Sequence, residues 1–407
     1  MFRAGLARET GEAAADGKSA ELRELLGDLR TATATDGPRD GEYVAYSAAP
    51  VLPGAPKVVA FYLPQFHPIP ENDAAWGEGF TEWTNVTRAL PQFEGHYQPR
   101  LPGPLGFYDL RLPEIQVRQA ELARAYGIEA FCYHYYWFGG RRVLNRPIEQ
   151  MLANPAVDMP FCICWANEPW TRAWDGNTDD VIIPYESTPE GDARLFDDVL
   201  PLLRDPRYLR VNGMPLLIVY RPSILADAAA TFAHWRARAR EAGLPGLYLA
   251  CTLAYKEPAP ERYGVDAAIE FPPHGTSVSN QTDSHRIYEP ERFGGQIVHY
   301  TEAVADGCRP RTGDAFVRIQ GVFPDWDNEA RRPGRGLAFA GSTPALYRQW
   351  LTHALLTAHL DPAAPKMVFV NAWNEWAEGA YLEPDRRYGY AYLEATRAAI
   401  NDVARAG

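Results

Sequence analysis

The chain has 407 residues, 46% of them hydrophobic and 12% aromatic, with a formal net charge of −12. That is apolar mass for a large core, and α/β barrels of this size fold as one domain. The negative balance argues against nucleic acid or an anionic membrane as main partner, since both select basic patches, but leaves neutral ligands such as sugars untouched.

Residues 1–55 differ in composition from the rest and read as a leader. Leucines at helical spacing in Ala20–Arg30 predict one short amphipathic helix, followed by a linker that Pro53, Gly54 and Pro56 close. A partly disordered leader fits the same composition. The N-terminus lacks an apolar signal region and no run of 18 apolar residues occurs, so the expectation is a cytoplasmic protein with no integral membrane association. The five cysteines are an odd number. Cys132, Cys162, Cys164 and Cys251 lie in apolar runs, where a thiol behaves as a small hydrophobe. No second cysteine cluster supports zinc, and no cofactor or metal is expected.

From residue 57 short apolar runs alternate with helical patterns. Eight strands are predicted, at 57–63, 128–134, 160–165, 215–220, 246–252, 266–271, 317–323 and 366–372. Helices are predicted at 112–126, 145–154, 190–204, 224–242, 343–359 and 389–403. Near-continuous apolar strands are buried on both faces, so the fold class is α/β, a single closed (β/α)8 TIM barrel over 56–407. A doubly wound open sheet normally places a Gly-rich phosphate turn after its first strand, whereas Pro64-Gln-Phe-His-Pro68 stands here. Extra length falls in the strand-to-helix segments 64–110, 166–189 and 272–316, on the face where barrels build active sites.

Polar and aromatic residues gather at the strand ends. The first strand leads to Tyr62, Gln65 and His67, and the second to His134 and Tyr135. The third leads to Trp165, Asn167, Glu168 and Trp170, with Arg172, Trp174 and Asp175 beyond; the fourth leads to Tyr220 and Arg221. The seventh reaches Asp325 and Trp326 before Asp327, and the eighth Asn371, Trp373 and Trp376. Eleven Trp and 22 Tyr supply flat amphipathic rings of the kind that stack on sugars, although core packing accounts for most. Tyr62, His134, Trp165, Asn167, Glu168, Tyr220 and Trp326 are expected to share one pocket with Glu375 and Glu378. Asp325 and Asp327 are too few acids for a calcium loop. Glu168 competes with the terminal acids as a catalytic group; a structural Glu168–Arg172 pair explains it equally well.

The segment 371–385 carries the strongest signal. Glu375 and Glu378 stand three apart among tryptophans, just past an apolar strand. Acids beside apolar rings cost desolvation energy unless paired. Two carboxyls at one place suit glycoside cleavage, where one protonates the leaving oxygen and the other stabilises or attacks the oxocarbenium-like centre. A helical turn would set them about 5–6 Å apart, near the retaining separation. The plain alternative is a pair of acids at a helix N-terminus.

Several long motifs point the same way. Ala60–Asp73, Trp76–Val86, Gly95–Pro99, Gly106–Arg111, Phe161–Glu168 and Asn371–Gly379 resemble the WbsX-type polysaccharide-biosynthesis family, also described as glycoside hydrolase family 99-like, over roughly residues 57–403. The resemblance implies a (β/α)8 barrel with retaining chemistry on α-linked, α-mannoside-like glycans in surface polysaccharide or O-antigen metabolism. The sugar's own 2-hydroxyl would attack, through a 1,2-anhydro intermediate. Glu375 would then deprotonate that hydroxyl, and Glu378 would serve as acid and base on the glycosidic oxygen. Two positions depart from the pattern: Pro169 where relatives often carry Asn, and Ala377 where the hydrolases often carry a polar residue. A glycosyltransferase using an activated sugar donor is the alternative reading, and a non-catalytic glycan-binding barrel the third.

Overall fold

The computed structural model describes residues 20, 22–34, 43–172, 177–255, 260–311 and 313–406. Eight parallel strands form a ring: β1 (Lys57–Tyr62), β2 (Ile128–Phe138), β3 (Phe161–Trp165), β4 (Met214–Val219), β5 (Tyr248–Thr252), β6 (Ala267–Ile269), β7 (Arg318–Ile319 continued by Gly321–Val322) and β8 (Met367–Val370). Each strand pairs with the next in sequence, and β8 pairs back onto β1. The ring closes through β7, whose first half pairs with β6 and whose second half pairs with β8. Gly321 makes that crossing possible, because a Cβ there would lie 2.1 Å from the Glu270 carbonyl oxygen. The fold is the predicted TIM barrel.

Among the described residues, the helices of eight or more residues that follow the strands are α1 (Pro113–Ala125), α2 (Arg146–Ala153), α3 (Pro189–Arg204), α4 (Ala228–Glu241), α5 (Tyr300–Gly307), α6 (Pro344–Leu360) and α7 (Ala391–Ala406). Their starts follow local chemistry. Proline occupies an early position in α1, α2, α3 and α6, where a missing N–H costs nothing. Thr188, Asp227 and Thr343 accept from backbone N–H groups as N-caps of α3, α4 and α6. The Asp227 cap and the 3-10 turn Pro222–Ile224 delay α4 to Ala228, where sequence periodicity predicts helix from 224. The segment 272–316, expected as a loop, contains α5.

The loop after β7 also grew beyond expectation. It folds as the 3-10 turn Asn328–Ala330 and the strand Leu337–Ala340, which pairs in parallel with Gln296–His299 of the β6–β7 segment. The leader helix spans 22–33 and lies on the barrel. Asp28 accepts from the Tyr288 hydroxyl (2.6 Å), Glu24 pairs with Arg286 (2.8 Å), and Ala32 is buried. Residues 43–55 run along α7, where Asn401 accepts from the Leu52 N–H and Arg397 donates to the Ser47 carbonyl. Among the described residues no helix is long and apolar enough to cross a membrane.

Candidate active site

The period of two along a strand decides which side chains reach the barrel mouth. On β2, His134 and Tyr136 face a cavity of about 700 Å³, while Tyr135 points outward and donates to Asp198 of α3 (2.5 Å). Tyr220, Tyr255, Phe271, His274 and Trp326 add aromatic walls from the ends of β4, β5, β6 and β7. Burial, reinforced by the Arg331 charge, holds His134 down to about 4. At neutral pH its ring is uncharged and offers one donor and one acceptor.

Glu375 and Glu378 reach the same cavity through the end of β8. The Trp373 N–H donates to the Phe61 carbonyl (2.8 Å). The Asn374 amide accepts from the Leu63 N–H (2.7 Å) and donates to its carbonyl (3.0 Å). The end of β8 is thereby fastened to the end of β1. One 3-10 turn, Trp376–Glu378, then carries the chain from one acid to the other. Gly379 reverses it with φ 66°, and a Cβ there would meet the Asp327 nitrogen at 2.9 Å, so glycine answers both the backbone conformation and the close approach.

A single guanidinium joins the two acids. Arg331 donates to Glu375 Oε2 (2.8 Å), to Glu378 Oε1, and to a third carboxylate, Glu82 Oε1 (2.6 Å). Three acids around one cation hold their charges at a cost, so at least one tends to keep a proton. Burial pushes Glu375 up to about 8, against the pull of Arg331, and the charges of Glu378 and Glu82 push it further. Burial raises Glu378 as well, but Arg331 and Arg332 both oppose the rise. Its side chain is also more exposed, 20% against 9% for Glu375.

Of the residues expected in one pocket, His134, Glu168, Tyr220, Trp326, Glu375 and Glu378 line the cavity. Glu168 pairs with Arg221 at 2.6 Å, in place of the expected Arg172, and the Arg221 guanidinium sits over the Tyr255 ring. Tyr62, Trp165 and Asn167 do not line it. The strand alternation turns Tyr62 outward to donate to Gln119 of α1 (2.8 Å), and Trp165 outward to donate to the Trp137 carbonyl (3.2 Å). Asn167 is fully buried and clamps the Arg221 backbone through both ends of its amide. Other strand-end candidates also stand apart from the cavity. Gln65 is buried, and His67 is buried against the Pro68 carbonyl. Trp170 donates to Asn72, Asn371 donates to the Pro272 carbonyl, Trp373 is fully buried, and Trp376 donates to Glu383. Asp325 is taken by Arg100 (2.5 Å), and Asp327 by His96 and Gln98 (each 2.7 Å), so both are bound within the loop framework. Among the described residues no group of three His, Cys, Asp or Glu is arranged to hold a metal. Trp174 and Asp175 lie outside the described residues.

Sequence reasoning did not single out Arg331 or Glu82 as site residues. Glu82 sits inside the Trp76–Val86 motif, and the basic run Arg331-Arg332-Pro-Gly-Arg335 lies in the loop that follows the seventh strand. Those were the available signals.

Behind the acids, Glu383 is buried and accepts from Trp376 Nε1 (2.6 Å), Gln119 Nε2 (2.6 Å) and the Tyr108 hydroxyl (2.9 Å). All three donors are neutral, and burial raises Glu383 to about 7. Through Trp376, which stands between the two acids in the chain, Glu383 braces the turn that carries them. Glu383→Gln turns one of its accepting oxygens into a donor that faces another donor. A loss of about 1–3 kcal/mol is expected in urea denaturation. In turnover, a fall in kcat larger than any rise in KM separates positioning from a purely structural role.

A family model described as glycosyltransferase WbsX matches residues 58–396. Two curated relatives, both described as "Uncharacterized protein WxcX" from strains of Xanthomonas campestris pv. campestris, are 49% and 48% identical over 84% and 88% of this chain. The matches cover 49% and 52% of those relatives, so the chain spans about half their length. Among solved structures, the GH99 endo-α-mannosidase from Bacteroides thetaiotaomicron, in complex with bis-tris-propane, aligns with a TM-score of 0.55 at 16% identity. That alignment covers 86% of this chain and 98% of the other. A glycoside hydrolase-like protein matches with the same TM-score and identity over 88% and 98%. At this identity the likeness establishes the barrel alone.

Proposed function

We propose that this chain, which belongs to the glycosyltransferase WbsX family, is a retaining glycoside hydrolase or transglycosylase acting on an α-linked glycan. The observation that carries the reading is the pair of carboxyls, Glu375 and Glu378, held on one guanidinium inside an aromatic cavity. A role in surface polysaccharide or O-antigen metabolism and a cytoplasmic location belong to the same proposal.

The chemistry follows from the pair. Glu378 gives its proton to the glycosidic oxygen as the C1–O bond breaks. Glu375 takes the proton of the sugar 2-hydroxyl, whose oxygen closes on C1 to form a 1,2-anhydro sugar. Water or a second sugar then opens that ring at C1, giving its proton to Glu378 while Glu375 returns its own to O2. Two inversions at C1 amount to retention. The rings of Tyr136, Tyr220, Phe271 and Trp326 suit sugar faces, and neutral His134 suits a hydroxyl.

The test is incubation with α-linked oligosaccharides and, separately, nucleotide sugars, with NMR of the first-formed anomer. Hydrolysis with retention supports the proposal. Acceptor-dependent release of nucleoside diphosphate replaces it with the transferase reading.

The electrostatics add a pH test. A base must be ionised to act, and Glu375 in the free protein is pushed up to about 8. Glu378 must meanwhile keep its proton, so kcat/KM, which reports the free enzyme, is expected to be bell-shaped, with its basic limb near that value. A profile with no limb near 8 would take Glu375 out of the titrating pair.

A further inference from the structure

Two more arginines border the cavity, Arg332 and Arg335. Both are exposed, and neither side chain makes a hydrogen bond or ion pair with any described residue. The acids there already have cations: Glu168 is met by Arg221, and Glu375 and Glu378 share Arg331 with Glu82. Arg332 and Arg335 therefore present two guanidinium groups on one wall with no carboxylate hydrogen-bonded to either. Two like charges on one wall attract a ligand group of the opposite sign.

The segment bearing these arginines is braced. Glu329 accepts from the Gly334 N–H (2.6 Å), and the Arg335 N–H donates to the Arg332 carbonyl (2.8 Å). The N–H groups of Gly294 and Gln296 donate to the carbonyls of Gly334 and Gly336, each at 2.8 Å. The two loops meet backbone to backbone, because a Cβ on Gly295 would lie 2.6 Å from the Gly336 oxygen. Gly294, Gly295 and Gly336 all border the cavity, so a ligand can approach main chain beside the guanidinium groups.

From this geometry we infer that the substrate carries an anionic group, a carboxylate or a phosphoryl, on a sugar beside the scissile linkage, and that Arg332 and Arg335 hold it. The inference rests on the glycan-active reading above and names its substrate class. A neutral sugar packed here would desolvate two guanidinium groups and return no charge to them. An anion returns charge-assisted, and with arginine often bidentate, hydrogen bonds.

Binding tests this apart from turnover. Dissociation constants would be measured by tryptophan fluorescence for glucose, galactose and mannose, for the matching uronates, and for the matching 1-phosphates. At least one uronate or 1-phosphate is expected to bind ten times tighter than its neutral parent. That advantage should shrink in 0.5 M salt, since the arginines are exposed, and vanish in R332Q/R335Q, a pair of surface changes that leave the core untouched. The uronate and phosphate arms separate an acidic sugar from a phosphorylated donor or substituent. No preference for any anionic sugar, or a preference that survives in R332Q/R335Q, overturns the inference. A chain that cleaves neutral α-glycosides yet fails this test keeps its proposed function and loses only the anion site. A chain that cleaves nothing but passes loses the hydrolase reading instead.

Discussion

Glu378→Gln is expected to lose nearly all turnover on unactivated glycosides, by about 10²–10⁴-fold, because the leaving oxygen then has no proton donor. With an aryl leaving group of low pKa, most of that loss should disappear, since such a group departs with little protonation. Glu375→Gln should cripple both kinds of substrate, because the 2-hydroxyl loses its base whichever group leaves. Each side chain keeps its shape in these variants, and each amide can still meet Arg331 through its carbonyl oxygen, so folding should survive. Measuring kcat/KM over a series of aryl α-glycosides decides the matter. Equal losses at every leaving group would break the assignment of roles, and full activity in either variant would move the bet to Glu168, the other cavity carboxylate.

Arg331→Met is the second change with a large expected effect. It strands Glu82, Glu375 and Glu378, which are 0%, 9% and 20% exposed at the side chain, without their shared cation. Removing one partner of a buried pair costs about 3–5 kcal/mol, and partial protonation of the acids offsets some of it. The sign of the pH dependence follows. Carboxyls whose pKa is raised by folding bind protons more readily when folded, so their contribution to stability falls as pH rises from the ordinary 4.5 through their folded values. Losing Arg331 raises those values further, because the guanidinium is what pulls them down. The deficit in urea denaturation should therefore be larger at pH 8 than at pH 5. The acid limb of any surviving activity should also shift upward. A stability loss independent of pH would mean that Arg331 acts through packing alone.

Much of this was legible locally. Eight apolar runs predict the eight barrel strands because a parallel strand covered on both faces must be apolar along its length. Gly321 and the split of β7 were not visible, since the need for glycine there arises only from the Glu270 backbone beside it. The segment 371–379 declared its two acids because carboxyls among tryptophans have no cheap structural reason to be there. Glycine at 379 likewise fits a chain reversal.

What the sequence by itself determined is the set of elements and the residues at their ends; the tertiary structure decided which of those residues face one another. Alternation along a strand is a local property, but its phase relative to the barrel axis is set by closure. That is why His134 enters the cavity while Tyr62 and Trp165, equally good strand-end candidates, turn outward onto the helices. Charge pairing is less local still. Arg331 meets Glu82 across 249 positions of sequence, and Glu378 across 47. No spacing rule reaches that far, because the contact exists only once the ring of strands has brought the loops after β1, β7 and β8 to the same mouth.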